Sequence, residues 1–228
     1  MNVRKKLKNN DPKTRVRNKE ELLVRKHEFL RICYLLDKLN IRYFLHGGVL
    51  LGAIRDNNFI PWDWDAEVSV FTDEVVNKFD LLINEISLLG FTVKYSSKDL
   101  PNLKIDFFGK LPREVTNYTI MGWIHDKKKK IFWRSTFKIP EHFLINMKRI
   151  EFLDKYHLVQ TPPEKFLEHQ YGDWKTPLQT SNKYIYLRKE YSGMNYTIDT
   201  IKKIRFFFIS TIVKFYKRVK INTKNKNS

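Results

Sequence analysis

Between residues 44 and 70 the chain reads FLHGGVLLGAIRDNNFIPWDWDAEVSV, and no other passage limits the possible folds as closely. Residues 41–45 form a short apolar run that ends at Gly47-Gly48, and Gly48 opens a brief helix over 49–54. Two glycines at a strand-to-helix turn let backbone N–H groups approach a phosphate, and the helix N-terminus favours negative charge there. Gly-Gly is also an ordinary turn, so the pair alone decides little. After Pro61, Asp65-Ala66-Glu67-Val68-Ser69-Val70 alternates with period two, which predicts a half-buried strand. Ala66, Val68 and Val70 then enter the core, while Asp65 and Glu67 project side by side. Adjacent carboxylates repel, and a hard divalent cation, Mg²⁺ or Mn²⁺ carrying substrate phosphates, would relieve the repulsion.

A third carboxylate, Asp106, interrupts the apolar, strand-like run 103–108. An acid among apolar β-formers needs a partner. If this strand lies beside the first, Asp106 completes a three-carboxylate cluster. The competing reading pairs Asp65 and Glu67 with Lys and Arg on a solvated face, as charged strand positions commonly are. The glycine turn upstream tips the balance toward a site.

The rest of the chain supplies an α/β frame. Leu22, Phe29, Ile32, Leu36 and Leu39 draw one apolar stripe along a helix over 18–38, to which no chemistry is assigned. After the acidic strand, Thr72 or Asp73 is expected to cap a helix that Gly90 ends. A strand over 91–95 leads to the Asp106 strand, and 118–124 and 131–137 read as two strands joined at a lysine-rich tip over 125–130. That tip is a solvated hairpin end or a contact for an acidic substrate. A short helix over 163–170 precedes Tyr171-Gly172-Asp173-Trp174. The succession of helices and strands is that of an α/β (α+β) fold, a mixed sheet flanked by helices.

With 42% hydrophobic residues in 228, one sizeable core can form. The expected organisation is a flexible basic arm over 1–17, a catalytic domain over 18–195 and a basic amphipathic tail helix over 196–228. In the tail, Ile201, Ile204, Phe208, Ile212, Phe215 and Val219 recur at helical steps with Lys and Arg beside them. Such a helix binds an acidic membrane surface or docks on its own domain. Cys33 is the only cysteine, so no intrachain disulfide can form and no zinc-ligand spacing is present. The basic N-terminal stretch has no apolar signal core, and the apolar run 206–213 falls short of the ~20 residues a membrane span needs. A cytoplasmic protein, peripheral on the inner face of the membrane, is the expectation. A formal charge of +18 calls for anionic partners. Nucleic acid ranks last among them, because no motif interleaves aromatic and basic residues as nucleic-acid binders do.

Gly-Gly-Val-Leu-Leu-Gly-Ala-Ile-Arg, a four-residue spacer and Ile-Pro-Trp-Asp-Trp-Asp-Ala-Glu resemble the signature of the LicD and fukutin-related family. Its members are nucleotidyltransferase-fold phosphotransferases. Residues 139–144 and 163–177 are similar to that family's closing segment, so the resemblance spans about residues 20–180. It implies that Asp65, Glu67 and Asp106 hold Mg²⁺ (or Mn²⁺), that Gly47 and Gly48 form the phosphate turn, and that Arg55 contacts phosphate. It also implies that Tyr171 and Asp173 line the donor or acceptor pocket; the alternative for this segment is a helix C-cap with a packed aromatic. Val49 departs from the motif's Ser or Thr and removes a hydroxyl, while Glu67 in place of Asp keeps a ligand on a longer arm.

The reaction so implied moves a phospho-alditol or phosphocholine group from a CDP-linked donor to a hydroxyl of a glycan or lipid-linked glycan, with release of CMP. Asp63 is the first candidate for general base and Asp106 the second; Trp64 is a packing residue with a possible stacking role. The rival enzyme is a nucleotidyltransferase releasing pyrophosphate, and the rival without chemistry is a basic nucleic-acid or membrane-binding module.

Overall fold

The computed structural model describes residues 14–193. The tail helix expected over 196–228, with its membrane-binding or docking role, lies outside the described residues, as do residues 1–13.

Asn18 begins helix α1 (Lys19–Lys38) with a reciprocal capping box: its side chain accepts from the Glu21 amide while Glu21 reaches back to the Asn18 N–H. Strand β1 (Tyr43–Leu45), helix α2 (Gly47–Arg55) and strand β2 (Asp65–Phe71) follow. The glycine pair therefore lies inside the first turn of α2 rather than ahead of it. The helix expected after β2 is broken into α3 (Thr72–Val75), a 3₁₀ turn over 76–78 and α4 (Phe79–Leu88). Thr72 is already helical and Phe71 holds the cap position without a side-chain bond, so neither Thr72 nor Asp73 caps it. The β-branched pair Val75-Val76 and Asn77 weaken continuous helix at that point.

Strands β3 (Thr92–Ser97), β4 (Lys104–Phe108), β5 (Asn117–Asp126), β6 (Ile131–Arg134) and β7 (Phe137–Pro140) come next. What reads in sequence as one strand over 131–137 is thus two, turned at Ser135 with its positive φ of 49°. After α5 (His142–Ile145) a hairpin of β8 (Lys148–Phe152) and β9 (Lys155–Val159) leads into α6 (Pro163–Tyr171), α7 (Lys183–Tyr186) and α8 (Lys189–Ser192).

The strands form one mixed sheet in the order β3-β4-β5-β2-β1-β9-β8, with β6 and β7 continuing from the far end of β5. β2 runs parallel to β5 and antiparallel to β1, and β1 runs parallel to β9. Each central strand offers one row to each face. Ala66, Val68 and Val70 of β2 are buried, and Tyr118 and Phe107 belong to the same face by register. Helix α1 covers that face with Phe29, Ile32, Cys33 and Leu36, and Tyr118 donates to Glu28 of α1 at 2.9 Å. Lys38 of α1 pairs with Glu85 of α4 at 3.0 Å, tying the two helices together. The opposite face carries Asp65, Glu67, Thr119 and Asp106. Among the described residues no helix is long and apolar enough to cross a membrane.

The expected basic arm does not extend to residue 17. Thr14 and Arg17 are buried; the Arg17 amide donates to Pro61 O at 2.7 Å, and its guanidinium donates to Trp62 O and Val115 O, both at 3.0 Å. Arg17 thereby staples the turn that delivers the acidic strand to the loop that precedes β5.

Candidate active site

Three carboxylates gather where β2 begins. The chain turns at Pro61, with the Asp63 amide donating to Ile60 O at 3.0 Å, and Trp64 O accepts from Asn117 N at 3.0 Å, which sets the register of β2 on β5. Asp65 and Glu67 share a face of the strand as the alternation requires, and Asp63 stands just before them. The two glycines of α2 lie directly against this group. A Cβ on Gly47, whose φ is +59°, would collide with the Glu67 carboxylate, and a Cβ on Gly48 would collide with that of Asp63. The pair read as a phosphate turn lies against protein carboxylates, Glu67 at Gly47 and Asp63 at Gly48. The negative side chains occupy the positive end of α2, where the helix dipole favours them.

Burial and crowding shift the protonation of Asp63 and Glu67. Burial first, and the Asp65 charge second, push Glu67 up to about 7, against the nearby charges of Lys183, Arg134 and Lys104. The same two causes raise Asp63 well above the usual carboxylate range, opposed by Arg25. Arg25 is fully buried on α1, where it donates to Val115 O at 3.3 Å and to the Thr116 hydroxyl at 3.1 Å.

A carboxyl held at about 7 in the folded chain but near 4.5 when unfolded is a stability statement. Below the unfolded value both states are protonated and the group contributes nothing. As pH rises through the interval the unfolded chain ionises first, so the fold loses on the order of 3 kcal/mol by the upper end. Metal-free protein is therefore expected to lose thermal stability between about pH 5 and pH 8, and Glu67→Gln to flatten that loss. Melting curves of the two proteins at both pH values check this; parallel curves would show that Glu67 ionises normally.

Asp106 is placed otherwise than the sequence suggests. β4 does not lie beside β2, because β5 runs between them: Asp106 pairs in register with Thr119, and Thr119 with Glu67. The three residues form a row across three strands on one face. Both Asp106 oxygens are engaged, one accepting from the Thr119 hydroxyl at 2.7 Å and the other paired with Lys104 at 2.7 Å. Among the described residues no three His, Cys, Asp or Glu side chains converge as a metal-holding group. The expected triad of Asp65, Glu67 and Asp106 is thus spread over two non-adjacent strands, β2 and β4. Asp63 is the third carboxylate at Asp65 and Glu67, while Asp106 stands two strands away, beyond β5, with both oxygens engaged. The donor set that remains still suits a hard cation: it is all oxygen and closely spaced.

These carboxylates line a cavity of about 1030 Å³. Its walls include Trp62, Trp64, Tyr171, Trp174, Tyr186 and Tyr191. Tyr171 ends α6, Gly172 follows with a φ of 73°, and the Tyr171 and Tyr186 rings lie 6.1 Å apart. The segment is a helix C-cap and also faces the cavity with Asp173. Arg55 lines the cavity too, but its guanidinium is held in a fork by Asp56, at 2.9 and 2.8 Å, and donates to Trp174 O at 3.4 Å.

Several residues here were not singled out from sequence. His46 precedes α2, and burial pulls its imidazole down to about 3; its Nε2 lies 2.6 Å from the Tyr191 hydroxyl. Arg134 and Lys183 reach the cavity from β6 and α7. Arg25 left a trace, since position 25 falls within the apolar stripe of α1 and a charge there asks for a partner. His46 and Arg134 left none that periodicity reveals.

Comparison with known proteins bears on the same residues. The family model for the LicD/FKTN/FKRP nucleotidyltransferase domain matches residues 40–162. Ribitol 5-phosphate transferase FKRP of Homo sapiens is 27% identical over 152 residues, which are 60% of this chain and 29% of that protein. Lipopolysaccharide cholinephosphotransferase LicD of Haemophilus influenzae is 43% identical over 51 residues, 22% of this chain and 19% of that one. The matched part of the chain thus spans under a third of either relative's length, at 29% and 19%. The lincosamide antibiotic adenylyltransferase LnuA overlays 68% of this chain and 87% of its own at 10% identity and a TM-score of 0.45, a likeness too slight to argue from.

Proposed function

The chain belongs to the LicD/FKTN/FKRP family, and from that premise we propose that it moves a phospho-alditol or phosphocholine group from a CDP-linked donor to a hydroxyl of a glycan or lipid-linked glycan, releasing CMP. The observation that carries the reading is the carboxylate group of Asp63, Asp65 and Glu67, set at the start of α2 on the wall of a cavity of about 1030 Å³. Two relatives named for transfer of ribitol phosphate and of phosphocholine support the class of reaction.

Asp65 and Glu67 are the residues that would hold Mg²⁺ (or Mn²⁺), which when bound neutralises charge on the donor's diphosphate and on the departing nucleotide. Asp63 has the other task. A carboxyl raised toward neutrality is a far better proton acceptor than an ordinary one. It takes the proton of the acceptor hydroxyl as the new oxygen–phosphorus bond forms and the bond to the bridging oxygen breaks, CMP leaving with that oxygen. Arg25 opposes that rise and favours the ionised form of Asp63. Asp106, the second candidate for base, is less suited, because Thr119 and Lys104 already engage both its oxygens. The Trp and Tyr rings of the cavity offer flat faces for a base and a sugar and keep bulk water from the bond being broken.

The test is a nucleotide analysis of purified protein incubated with Mg²⁺, a glycan acceptor and either CDP-ribitol or CDP-choline. Acceptor-dependent CMP is the expected product. Pyrophosphate released from a nucleoside triphosphate, with no CMP from either donor, would move the chain to nucleotidyl transfer instead.

A further inference from the structure

The carboxylates pose a problem for the donor just proposed, because a diphosphate approaching three acids needs cations to hold it. Most positive side chains near the cavity are already engaged. Arg55 is gripped by Asp56, Lys104 pairs with Asp106, and Arg17 and Arg25 are spent on backbone carbonyls and the Thr116 hydroxyl.

Arg134 differs from all of these. It ends β6 and lines the cavity, yet its Nε is buried and has no hydrogen-bond partner. Among the described residues it forms no ion pair. Glu67 and Asp106 act on it only as longer-range charges. A guanidinium N–H taken out of water without a hydrogen-bond partner is costly, because its lost hydration is not repaid. Such an arrangement persists where a ligand supplies the missing anion, and a guanidinium fork matches phosphate oxygens in geometry as well as charge.

Resting on the phosphotransfer reading above, we infer that Arg134 binds the donor's diphosphate in the cavity that Asp65, Glu67 and Lys183 also line. Arg55, which the motif would nominate, serves to anchor the loop at Trp174. Arg134 therefore contributes to recognition of any nucleoside diphosphate, and the base itself is read elsewhere in the cavity.

The experiment is calorimetric binding, with Mg²⁺ present, of CDP, inorganic pyrophosphate and cytidine to the full chain and to Arg134→Gln and Arg134→Lys. Arg134→Gln is expected to weaken CDP and pyrophosphate at least about tenfold while leaving cytidine unchanged, and Arg134→Lys to recover part of the loss. The melting temperature of Arg134→Gln is expected to stay level or rise, since a buried N–H without a partner is removed; a residue with a purely structural role would lower it. Wild-type affinity for CDP and pyrophosphate in Arg134→Gln overturns the inference and leaves the phosphotransfer reading standing. Arg134-dependent binding of pyrophosphate without any binding of CDP keeps the anion site and removes the nucleotide-linked donor. No binding of either probe by the wild type defeats both.

Discussion

Asp65→Asn and Glu67→Gln are each expected to lower kcat/KM for CMP release by on the order of 10³-fold, while the metal-free protein melts at the same temperature or higher. Both halves follow from one arrangement. The two carboxylates lie side by side at the head of β2, and Glu67 is pushed up to about 7 by burial and by Asp65. That repulsion is a cost to the fold that the start of α2 and the nearby cations offset only in part. An amide of nearly the same shape removes the charge, so the native state relaxes while the site loses the donors a divalent cation requires. Rate assays combined with melting curves separate this from simple damage. Variants that retain full rates would show the acids to be a solvated face, as the competing reading of the sequence held.

Gly47→Ala is expected to destabilise the protein by about 2–4 kcal/mol and to abolish transfer together with it. Two penalties coincide at this residue. Its φ of +59° is a conformation that side chains rarely adopt, and a Cβ there would strike the Glu67 carboxylate. Gly90 offers a control, because it has a φ of +84° with nothing within 4 Å of an added Cβ. Gly90→Ala thus carries only the backbone strain, about 1 kcal/mol. The excess cost of Gly47→Ala over Gly90→Ala in urea denaturation measures the collision with Glu67. Equal costs for the two would mean that Glu67 does not rest against α2.

The site could be read in sequence as far as local pattern reaches. The alternation of Asp65 through Val70 places these side chains on the faces it predicts, and the glycines meet the carboxylates at the start of α2. Strand order was another matter. Nothing in residues 103–108 tells which strand they will pair with, and β5, which comes later in sequence, enters between β4 and β2. Asp106 then finds Thr119 and Lys104 before it can find Glu67.

The β8–β9 hairpin was missed for a related reason. Leu153 and Asp154 make its two-residue turn with φ of 54° and 63°, but Leu-Asp lacks the Asn-Gly or Asp-Gly mark of such turns. Charges within an apolar stripe carry a signal of their own. Arg25 and Glu28 occupy core-facing steps of α1, and one steadies Asp63 while the other accepts from Tyr118 and the Lys110 amide. Arg134 has no such signature, because a residue at the end of a short hairpin strand acquires its meaning only from what the fold brings opposite it.

The claim on which the account rests is that Asp65 and Glu67 together hold a divalent cation alongside the donor. Electron paramagnetic resonance of Mn²⁺, titrated into the wild type and into the Asp65→Asn/Glu67→Gln double variant with CDP present, tests it without relying on turnover. The account predicts one tightly held Mn²⁺ per wild-type chain and only the spectrum of the free ion with the double variant. Equal uptake by the two proteins would contradict it.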